Sequence, residues 1–235
     1  MNGIFITGTD TGVGKTLVGC GLIAALRALG KRVGVLKPAE TGCSTRDATL
    51  YPEDAARLAA VAETTASLDQ ICPYRFAPPL APSVAASQSG TTIDLAHIGS
   101  IFRTTAASSD VTVVEGAGGL LVPLVERYTF ADLARDLILP VIVVVGSKLG
   151  ALNHALLTLD CAHNRGLHLL GYIVNHPTPH TDEAIRTNAA TLRQLTDVPC
   201  LGIIPFLSLD TNIPSDRTRL GKIFTQAIDL PQLLR

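Results

Sequence analysis

Short apolar runs rich in β-branched residues recur along the chain and predict six strands. These runs are residues 4–7, 33–36, 111–114, 141–145, 169–174 and 201–204. Their hydrophobicity is continuous and does not alternate, which is typical of strands covered on both faces, as in parallel sheets. The pattern therefore predicts a buried parallel sheet.

Segments with helical spacing lie between these runs, at residues 17–29, 55–62, 130–137, 151–162 and 183–195. Strands that alternate with helices predict one doubly wound, mainly parallel α/β sheet with helices on both faces. The segment PYRFAPPLAP, at 73–82, has too many prolines for an interior helix or a central strand and indicates a surface excursion or solvated loop. With 235 residues, a single domain over 1–235 is expected.

Composition and charge narrow the function classes. The 19 basic and 20 acidic side chains give a formal charge of −1 without any basic run, which argues against a nucleic-acid partner. No apolar stretch has the length of a signal peptide or membrane span, so we expect a cytoplasmic protein without a membrane partner. The five cysteines and six histidines lack paired metal or disulfide spacing, which predicts reduced, mostly packed thiols and no histidine metal site.

The stretch GTDTGVGKT, at 8–16, follows a predicted strand and opens a predicted helix. Backbone N–H groups and the helix dipole of such a loop converge on a phosphate, Lys15 can reach the terminal phosphates, and Thr16 can hold Mg²⁺. The usual G-x-x-x-x-G-K-T pattern would place glycine at Thr9, whereas this chain has its first loop glycine at Gly8. A simple strand-to-helix turn would need glycine but not the Lys15-Thr16 pair, so the pair favours a phosphate-binding loop.

Charged side chains follow other predicted strands, at the edge where doubly wound sheets bind ligands. Lys37 closes the second strand in VGVLKPAETG, and Glu115 ends VTVVEGAGG, where a carboxylate can provide a second Mg²⁺ ligand. Asp54 stands in the first turn of a helix that follows Pro52. It is either a further ligand or a residue that interacts favourably with the helix dipole.

Two later segments offer weaker signals. Asn175 follows LLGYIV, where a side-chain amide either contacts a base edge or forms a turn. The segment VVVGSKLGALNHALLTL runs from a strand into a helix and offers a second helix N-terminus to an anion.

Together the motifs closely resemble the dethiobiotin synthetase family over almost the whole chain. They are GTDTGVGKT at 8–16, KPAETG at 37–42, VEGAGGLLVPL at 114–124, the run from PVIVVVGSKLG to Asn153, and IVN at 173–175. The family's loop has the same shifted glycine. The resemblance implies an ATP-dependent cyclo-ligase of P-loop NTPase fold in biotin synthesis. Its substrates would be 7,8-diaminopelargonate (7,8-diaminononanoate) and CO₂ or bicarbonate, and its products dethiobiotin, ADP and phosphate, with Mg²⁺ as cofactor.

The resemblance also implies residue roles. Lys37 and Lys15 would be catalytic, and Thr16, Asp54 and Glu115 would hold Mg²⁺. ATP would be bound by Gly12, Val13, Gly14, Lys15, Thr16, Leu17, Asp54, Glu115, Gly116, Ala117, Gly118, Asn175, His176, Pro205, Phe206 and Leu207. The diamine would be bound by Thr11 and Thr41, together with Gly150, Ala151 and Asn153 from the neighbouring subunit of a homodimer. The chain departs from the family at Gly12, where some members carry Glu, and at His176, where the pattern allows an acid.

Other classes share parts of this pattern. Dimeric P-loop ATPase switch proteins have the same fold, but they usually carry a second lysine early in the loop, where this chain has Thr9, Asp10 and Thr11. A glutamine-dependent amide ligase of related fold would need an added glutaminase domain and a Cys-His pair. A nucleoside-type kinase would leave KPAETG and GAGG unexplained. The chain has neither a G-x-S-x-G elbow nor a C-x-x-C pair, which favours a reaction without a side-chain nucleophile.

Overall fold

A computed structural model describes residues 3–233, except for the side chains of residues 231 and 232. Within this part of the chain the strands are Gly3–Gly8 (β1), Val33–Leu36 (β2), Ala39–Thr41 (β3), Ser44–Arg46 (β4), Thr49–Tyr51 (β5), Tyr74–Phe76 (β6), Val111–Gly119 (β7), Pro123–Val125 (β8), Tyr128–Thr129 (β9), Val141–Gly146 (β10), Leu169–Asn175 (β11) and Cys200–Ile204 (β12).

The helices are Lys15–Ala28 (α1), Glu53–Ala62 (α2), Leu68–Ile71 (α3), Pro82–Ser89 (α4), Leu95–Ala107 (α5), Phe130–Asp136 (α6), Ala151–Asn164 (α7), Glu183–Leu195 (α8), Pro214–Ala227 (α9) and Leu230–Leu233 (α10).

Six strands form one parallel sheet in the order β12-β11-β10-β1-β7-β2. These are the six strands that the apolar runs predict. Alternate side chains along each strand enter two different cores: Ile4 and Ile6 pack with α1, α2 and α9, whereas Phe5 packs with helices that include α6 and α7. Both faces of the sheet are therefore buried, and the predicted doubly wound fold is confirmed.

The proline-rich segment 73–82 lies outside the central sheet. Its first part forms β6, which pairs in parallel with β3, and Pro82 is the first residue of α4. The interpretation of this segment as neither interior helix nor central strand is thus correct. The one-domain prediction also includes residues 1, 2, 234 and 235, which lie outside the described residues.

The cysteines are all free, and Cys20, Cys43 and Cys72 are buried. No helix within residues 3–233 combines the length and apolarity needed to cross a membrane.

Candidate active site

The predicted phosphate loop connects β1 to α1 at the carboxyl edge of the sheet. Gly12 and Gly14 have φ values of 74° and 94°, in the left-handed region that favours glycine. Gly14 has a second reason to lack a side chain, because a Cβ there would lie 2.2 Å from Nδ2 of Asn175. The backbone conformation at Gly12 and Gly14, and the contact with Asn175, therefore explain why glycines precede the first turn of α1.

Lys15, at the start of α1, is almost fully buried, and its Nζ donates a hydrogen bond to the carbonyl oxygen of Asp10 at 3.1 Å. Burial and the nearby charge of Lys37 lower the pKa of Lys15 to about 8. The ammonium is therefore poorly compensated in the absence of an anion, a situation that bound phosphates would relieve.

Lys37 lies at the end of β2 and is only 2% exposed. Its Nζ donates hydrogen bonds to Glu115 Oε1 at 2.5 Å, to Asp54 Oδ2 at 3.2 Å and to the Gly116 carbonyl at 3.3 Å. Burial alone would lower the pKa of Lys37, but the Glu115 and Asp54 carboxylates raise it above its ordinary value. Lys37 is therefore a buried cation held by two acidic side chains.

The three predicted metal ligands meet around this cation. Thr16 Oγ1 donates to Glu115 Oε1 at 3.0 Å, and the fully buried Glu115 retains an Oε2 atom without a hydrogen-bond partner among the described residues. Burial opposes ionisation of Asp54, but Lys37 and the Thr16 hydroxyl together lower the pKa of Asp54. Two carboxylates and a hydroxyl are hard oxygen ligands of the kind Mg²⁺ prefers.

Thr16, Lys37 and Asp54 line one cavity of about 700 Å³, whereas the fully buried Glu115 is not one of its walls. Its walls are Thr11, Gly12, Gly14, Lys15, Thr16, Leu17, Lys37, Glu40, Thr41, Asp54, Arg57, Pro79, Leu80, Ala81, Pro82, Ala117, Gly118 and Val122. The structure thus brings the phosphate loop together with Lys37, Asp54 and Thr41. Within residues 3–233, no group of three or more His, Cys, Asp or Glu side chains gathers as a metal site, so phosphate or water oxygens would have to complete a magnesium shell.

The predicted adenine residues lie at the ends of β11 and β12, on the other side of β1 from Lys37. Asn175 is fully buried, and its Nδ2 donates to the carbonyl of Val13 at 2.8 Å, so this side chain supports the phosphate loop from below. Its Oδ1 has no hydrogen-bond partner among the described residues. The His176 N–H donates to the carbonyl of Ile204 at 2.9 Å. Residues 205–207 follow β12, with Pro205 and Phe206 exposed and Leu207 half-buried.

The second helix N-terminus belongs to α7, whose N-cap is Gly150 with a φ of 89°. Gly150 and Asn153 are exposed, and Ala151 is buried. None of the three lines the cavity that contains the phosphate loop. One copy of the chain therefore does not bring them together with Thr41.

A family model described as an AAA domain matches residues 2–213. The chain is also 45% identical over 228 residues to the ATP-dependent dethiobiotin synthetase BioD of Anaeromyxobacter dehalogenans (strain 2CP-C), covering 97% of this chain and 99% of the relative. The BioD enzyme of Thermodesulfovibrio yellowstonii is 40% identical, with 99% and 98% covered. The chain belongs to the dethiobiotin synthetase family.

Solved structures outside the dethiobiotin synthetases share the fold. The MinC:MinD cell division protein complex of Aquifex aeolicus contains a chain with a TM-score of 0.55 and 16% identity, covering 95% of this chain and 91% of that chain. The cell division ATPase MinD of Pyrococcus furiosus has a TM-score of 0.50 at 16% identity, with both chains fully covered. At this identity the similarity shows the fold alone.

Two further charged side chains line the cavity of this dethiobiotin synthetase, Glu40 and Arg57, and neither is among the residues predicted from the sequence. Glu40 lies inside KPAETG, between Lys37 and Thr41, the two residues of this motif with predicted roles. Its charge and its place in the motif could have indicated that it belongs to the site. Arg57 follows Asp54 by three residues on α2, a spacing that places both on one face of the helix.

Proposed function

We propose that this chain is an ATP-dependent cyclo-ligase that forms the ureido ring of dethiobiotin from 7,8-diaminopelargonate and CO₂, with release of ADP and phosphate. The observation that carries the proposal is the buried Lys37 ammonium, held by Asp54 and Glu115 beside the phosphate loop. The named relatives, at 40 and 45% identity over nearly their full length, support the same activity.

For this reaction the protein must position the substrates and supply positive charge near the reacting oxygen atoms. One amine of the diamine attacks CO₂ and loses a proton, which gives a carbamate. A carbamate oxygen then attacks the γ-phosphorus of ATP, and ADP leaves. Finally the second amine attacks the carbonyl carbon of this mixed anhydride, phosphate leaves, and loss of a proton completes the ring. Negative charge builds on oxygen atoms throughout the transfer, so the cations Lys15 and Lys37 would stabilise the transition state.

Thr16, Asp54 and Glu115 would hold Mg²⁺. The ion would supply positive charge opposite the β- and γ-phosphate oxygens. The convergence of two carboxylates on one cation fits a site whose carboxylates exchange that cation for a metal ion.

The remaining assignments belong to the same proposal. The unpartnered Oδ1 of Asn175 can accept a hydrogen bond from an adenine amino group, with residues 176 and 205–207 around the base. Thr11 and Thr41 line the cavity beside Lys37, where the diamine nitrogens would react. The N-terminus of α7 would bind the substrate carboxylate from the neighbouring subunit of a homodimer. We place the enzyme in the cytoplasm.

Product analysis tests the proposal directly. Purified protein with ATP, Mg²⁺, bicarbonate and the diamine is expected to yield dethiobiotin, ADP and phosphate in equal amounts. Omission of either the diamine or bicarbonate should abolish dethiobiotin formation and strongly reduce phosphate release. Phosphate release that ignores both substrates would contradict a ligase and favour an ATPase switch.

The switch class has the weaker support. The MinD structures resemble this chain in fold alone. Such switches usually carry an additional lysine early in the loop, where this chain has Thr9, Asp10 and Thr11. In this structure Asp10 stabilises the loop instead. Its backbone carbonyl accepts a hydrogen bond from Lys15, and its side chain accepts one from the Thr11 N–H.

A further inference from the structure

Helix α2, which carries Asp54, begins without a capping side chain of its own. Its N-cap residue is Pro52, which provides no side-chain hydrogen bond to the first turn. Helices leave their first N–H groups without partners inside the helix, and such groups are costly when they are buried and unpaired. The first turn of α2 therefore needs an acceptor from elsewhere in the protein.

Glu40 provides that acceptor. Its Oε1 accepts a hydrogen bond from the Asp54 N–H at 2.9 Å, and its Oε2 accepts one from the Ala55 N–H at 3.0 Å. The carboxylate thus binds two successive backbone donors of a helix that begins 13 residues later in the chain, at Glu53. Both of its oxygens act as acceptors, which is the pattern of an ionised carboxylate at a helix N-terminus.

The backbone of Glu40 is fixed as well. Glu40 is 6% exposed and lies in the middle of β3, where it is paired in register with Arg75 of β6. Burial raises the pKa of Glu40, whereas Lys37 and the two backbone N–H groups act in the opposite direction. A buried carboxylate is tolerated when charges and hydrogen bonds compensate it, and here that compensation is the start of α2.

Asp54 is the residue whose N–H this carboxylate binds. The Asp54 side chain reaches Lys37 Nζ at 3.2 Å, beside Glu115 and Thr16. We propose that Glu40 is a positioning residue that holds the N-terminus of α2 so that Asp54 reaches the metal cluster. This inference rests on the proposed function, because it takes Asp54 as a magnesium ligand.

Two variants of Glu40 and one matched control test the inference. Glu40→Ala removes both acceptors, whereas Glu40→Gln keeps one oxygen acceptor and replaces the other with an amide donor. Glu53→Gln is the control, since Glu53 also lies in the first turn of α2, but its side chain is 43% exposed and bonds Arg46 and Ser44. Thermal unfolding shows whether each variant is folded. If Glu40→Ala does not fold, the inference is tested with Glu40→Gln alone.

The first measurement is the Mg²⁺ concentration that gives half-maximal ATP binding. Calorimetry monitors the binding of ATP, and the diamine is left out. Loss of a group that orients a metal ligand typically weakens metal binding at least tenfold, so Glu40→Ala should raise this concentration by about tenfold. Glu40→Gln should have a smaller effect, and Glu53→Gln should stay within about twofold of the parent. ATP binding without Mg²⁺ should be unchanged in all three.

The second measurement asks whether Glu40 acts through Asp54. In an Asp54→Asn background, Glu40→Ala should add less than about twofold to the Mg²⁺ requirement, because the ligand it positions is already impaired. A full tenfold effect in that background would overturn the positioning role. Amide exchange gives an independent readout: the Asp54 and Ala55 N–H groups should exchange faster in Glu40→Ala than in Glu53→Gln, and equal exchange would also overturn it.

The parent protein separates this inference from the proposed function. If the parent shows Mg²⁺-dependent ATP binding and forms dethiobiotin, but both Glu40 variants match Glu53→Gln, only the role of Glu40 is wrong. If ATP binding by the parent ignores Mg²⁺, the metal assignment and the role of Glu40 fall together, whatever product analysis shows about the reaction.

Discussion

At the scale of single residues, Lys37 and Glu115 depend on each other. Glu115 is completely buried, and Lys37 Nζ and the Thr16 hydroxyl are the groups that bond its carboxylate within the described chain. A buried carboxylate that loses its cation is left uncompensated, which is far more costly than the loss of a surface pair. The proposed catalytic lysine is therefore also part of what makes the metal-free site stable.

We predict that Lys37→Ala lowers the turnover number by a factor of roughly 100 to 1000, the effect expected from a lost transition-state charge. ATP binding near neutral pH should stay close to normal, because Lys15 and the loop remain. The metal-free variant should also lose about 3 kcal/mol of stability, and Mg²⁺ with ATP should restore part of it. Steady-state kinetics and thermal unfolding measure the two effects.

Lys148→Ala is the matched control, since Lys148 is an exposed cation that pairs with Asp10 of the same loop. It should change both quantities little. A Lys37→Ala variant that keeps more than about a tenth of the parent's rate would contradict the catalytic role.

Glu115→Gln tests the metal ligand set. The amide keeps the shape of the side chain but loses its charge, so the Mg²⁺ concentration needed for turnover should rise while the fold stays intact. Asp54→Asn should act in the same direction. An unchanged Mg²⁺ requirement in Glu115→Gln would remove Glu115 from the metal site.

The lowered pKa of Lys15 predicts a pH dependence of ATP binding. In the ligand-free protein this pKa is about 8, and bound phosphates would raise it. Binding therefore takes up almost no proton at lower pH but about one proton above this pKa, so the affinity falls as the pH rises. Between about pH 7 and about pH 9 the metal-free ATP affinity should fall by about tenfold.

Calorimetry in two buffers with different ionisation enthalpies would detect this proton uptake. Lys37 is one cause of the lowered pKa of Lys15, so the decline should shift to higher pH in Lys37→Ala. Affinity that stays constant over this pH range would exclude the linkage.

At the scale of elements, the six central strands were predictable because both faces of the sheet are buried and each strand is continuously apolar. Helix α9 was not predicted. Its sequence is largely polar, and its buried side chains are confined to positions such as Leu220 and Phe224, so its periodic signal is weak. Strands β3 and β6 pair with each other outside the central sheet, and three residues each are too few for a recognisable pattern.

The residues of the candidate site also include some that were predictable from the sequence and others that were not. Lys15, Lys37 and Glu115 were predictable as a group because the carboxyl ends of parallel strands meet at one edge of the sheet. The capping of α2 by Glu40 was not, because it joins a side chain to backbone N–H groups in another element, and such a contact leaves no periodic trace in the sequence. The support that Asn175 gives to Val13 is another contact of this kind.

The packing of α1 against α9 provides a stability test. A Cβ on Gly21 would lie 2.2 Å from the ring of Phe224, so Gly21→Ala must displace one helix from the other. Overpacking of this kind costs about 1–3 kcal/mol, and the melting temperature should fall accordingly. In Gly99→Ala, on α5, the added methyl meets only a flexible Arg103 side chain, and the better helix propensity of alanine should leave stability unchanged or slightly higher. Equal effects of the two substitutions would contradict this account of the α1–α9 interface.

At the scale of the whole molecule, the proposed substrate site is divided. The phosphate loop, Lys37 and Thr41 line one cavity, whereas Gly150, Ala151 and Asn153 lie outside it at the start of α7. Leu149 and Leu157, beside this helix start and on the helix itself, are 83% and 61% exposed. We propose a homodimer in which a second copy of the chain covers these leucines and the N-terminus of α7 lies at the cavity of its neighbour.

Asn153→Ala tests this arrangement. The variant should raise the KM for the diamine without a change in ATP affinity, because the carboxylate of the substrate loses one contact while the phosphate loop is untouched. Light scattering should show a dimer for both the parent and the variant. A fully active monomer would contradict a site that needs two subunits.

Mixed dimers make the prediction sharper. Lys37→Ala subunits have an intact α7, and Asn153→Ala subunits have an intact Lys37. If each site takes the two groups from different subunits, dimers formed from both variants contain one complete site. After subunit exchange at equal amounts, about half of the dimers are mixed, so activity at low diamine concentration should recover to roughly a quarter of the parent's. If both groups come from one subunit, every site in the mixture carries one defect. The mixture would then show only the mean of the two variants, and the neighbouring subunit would have no part in binding the substrate.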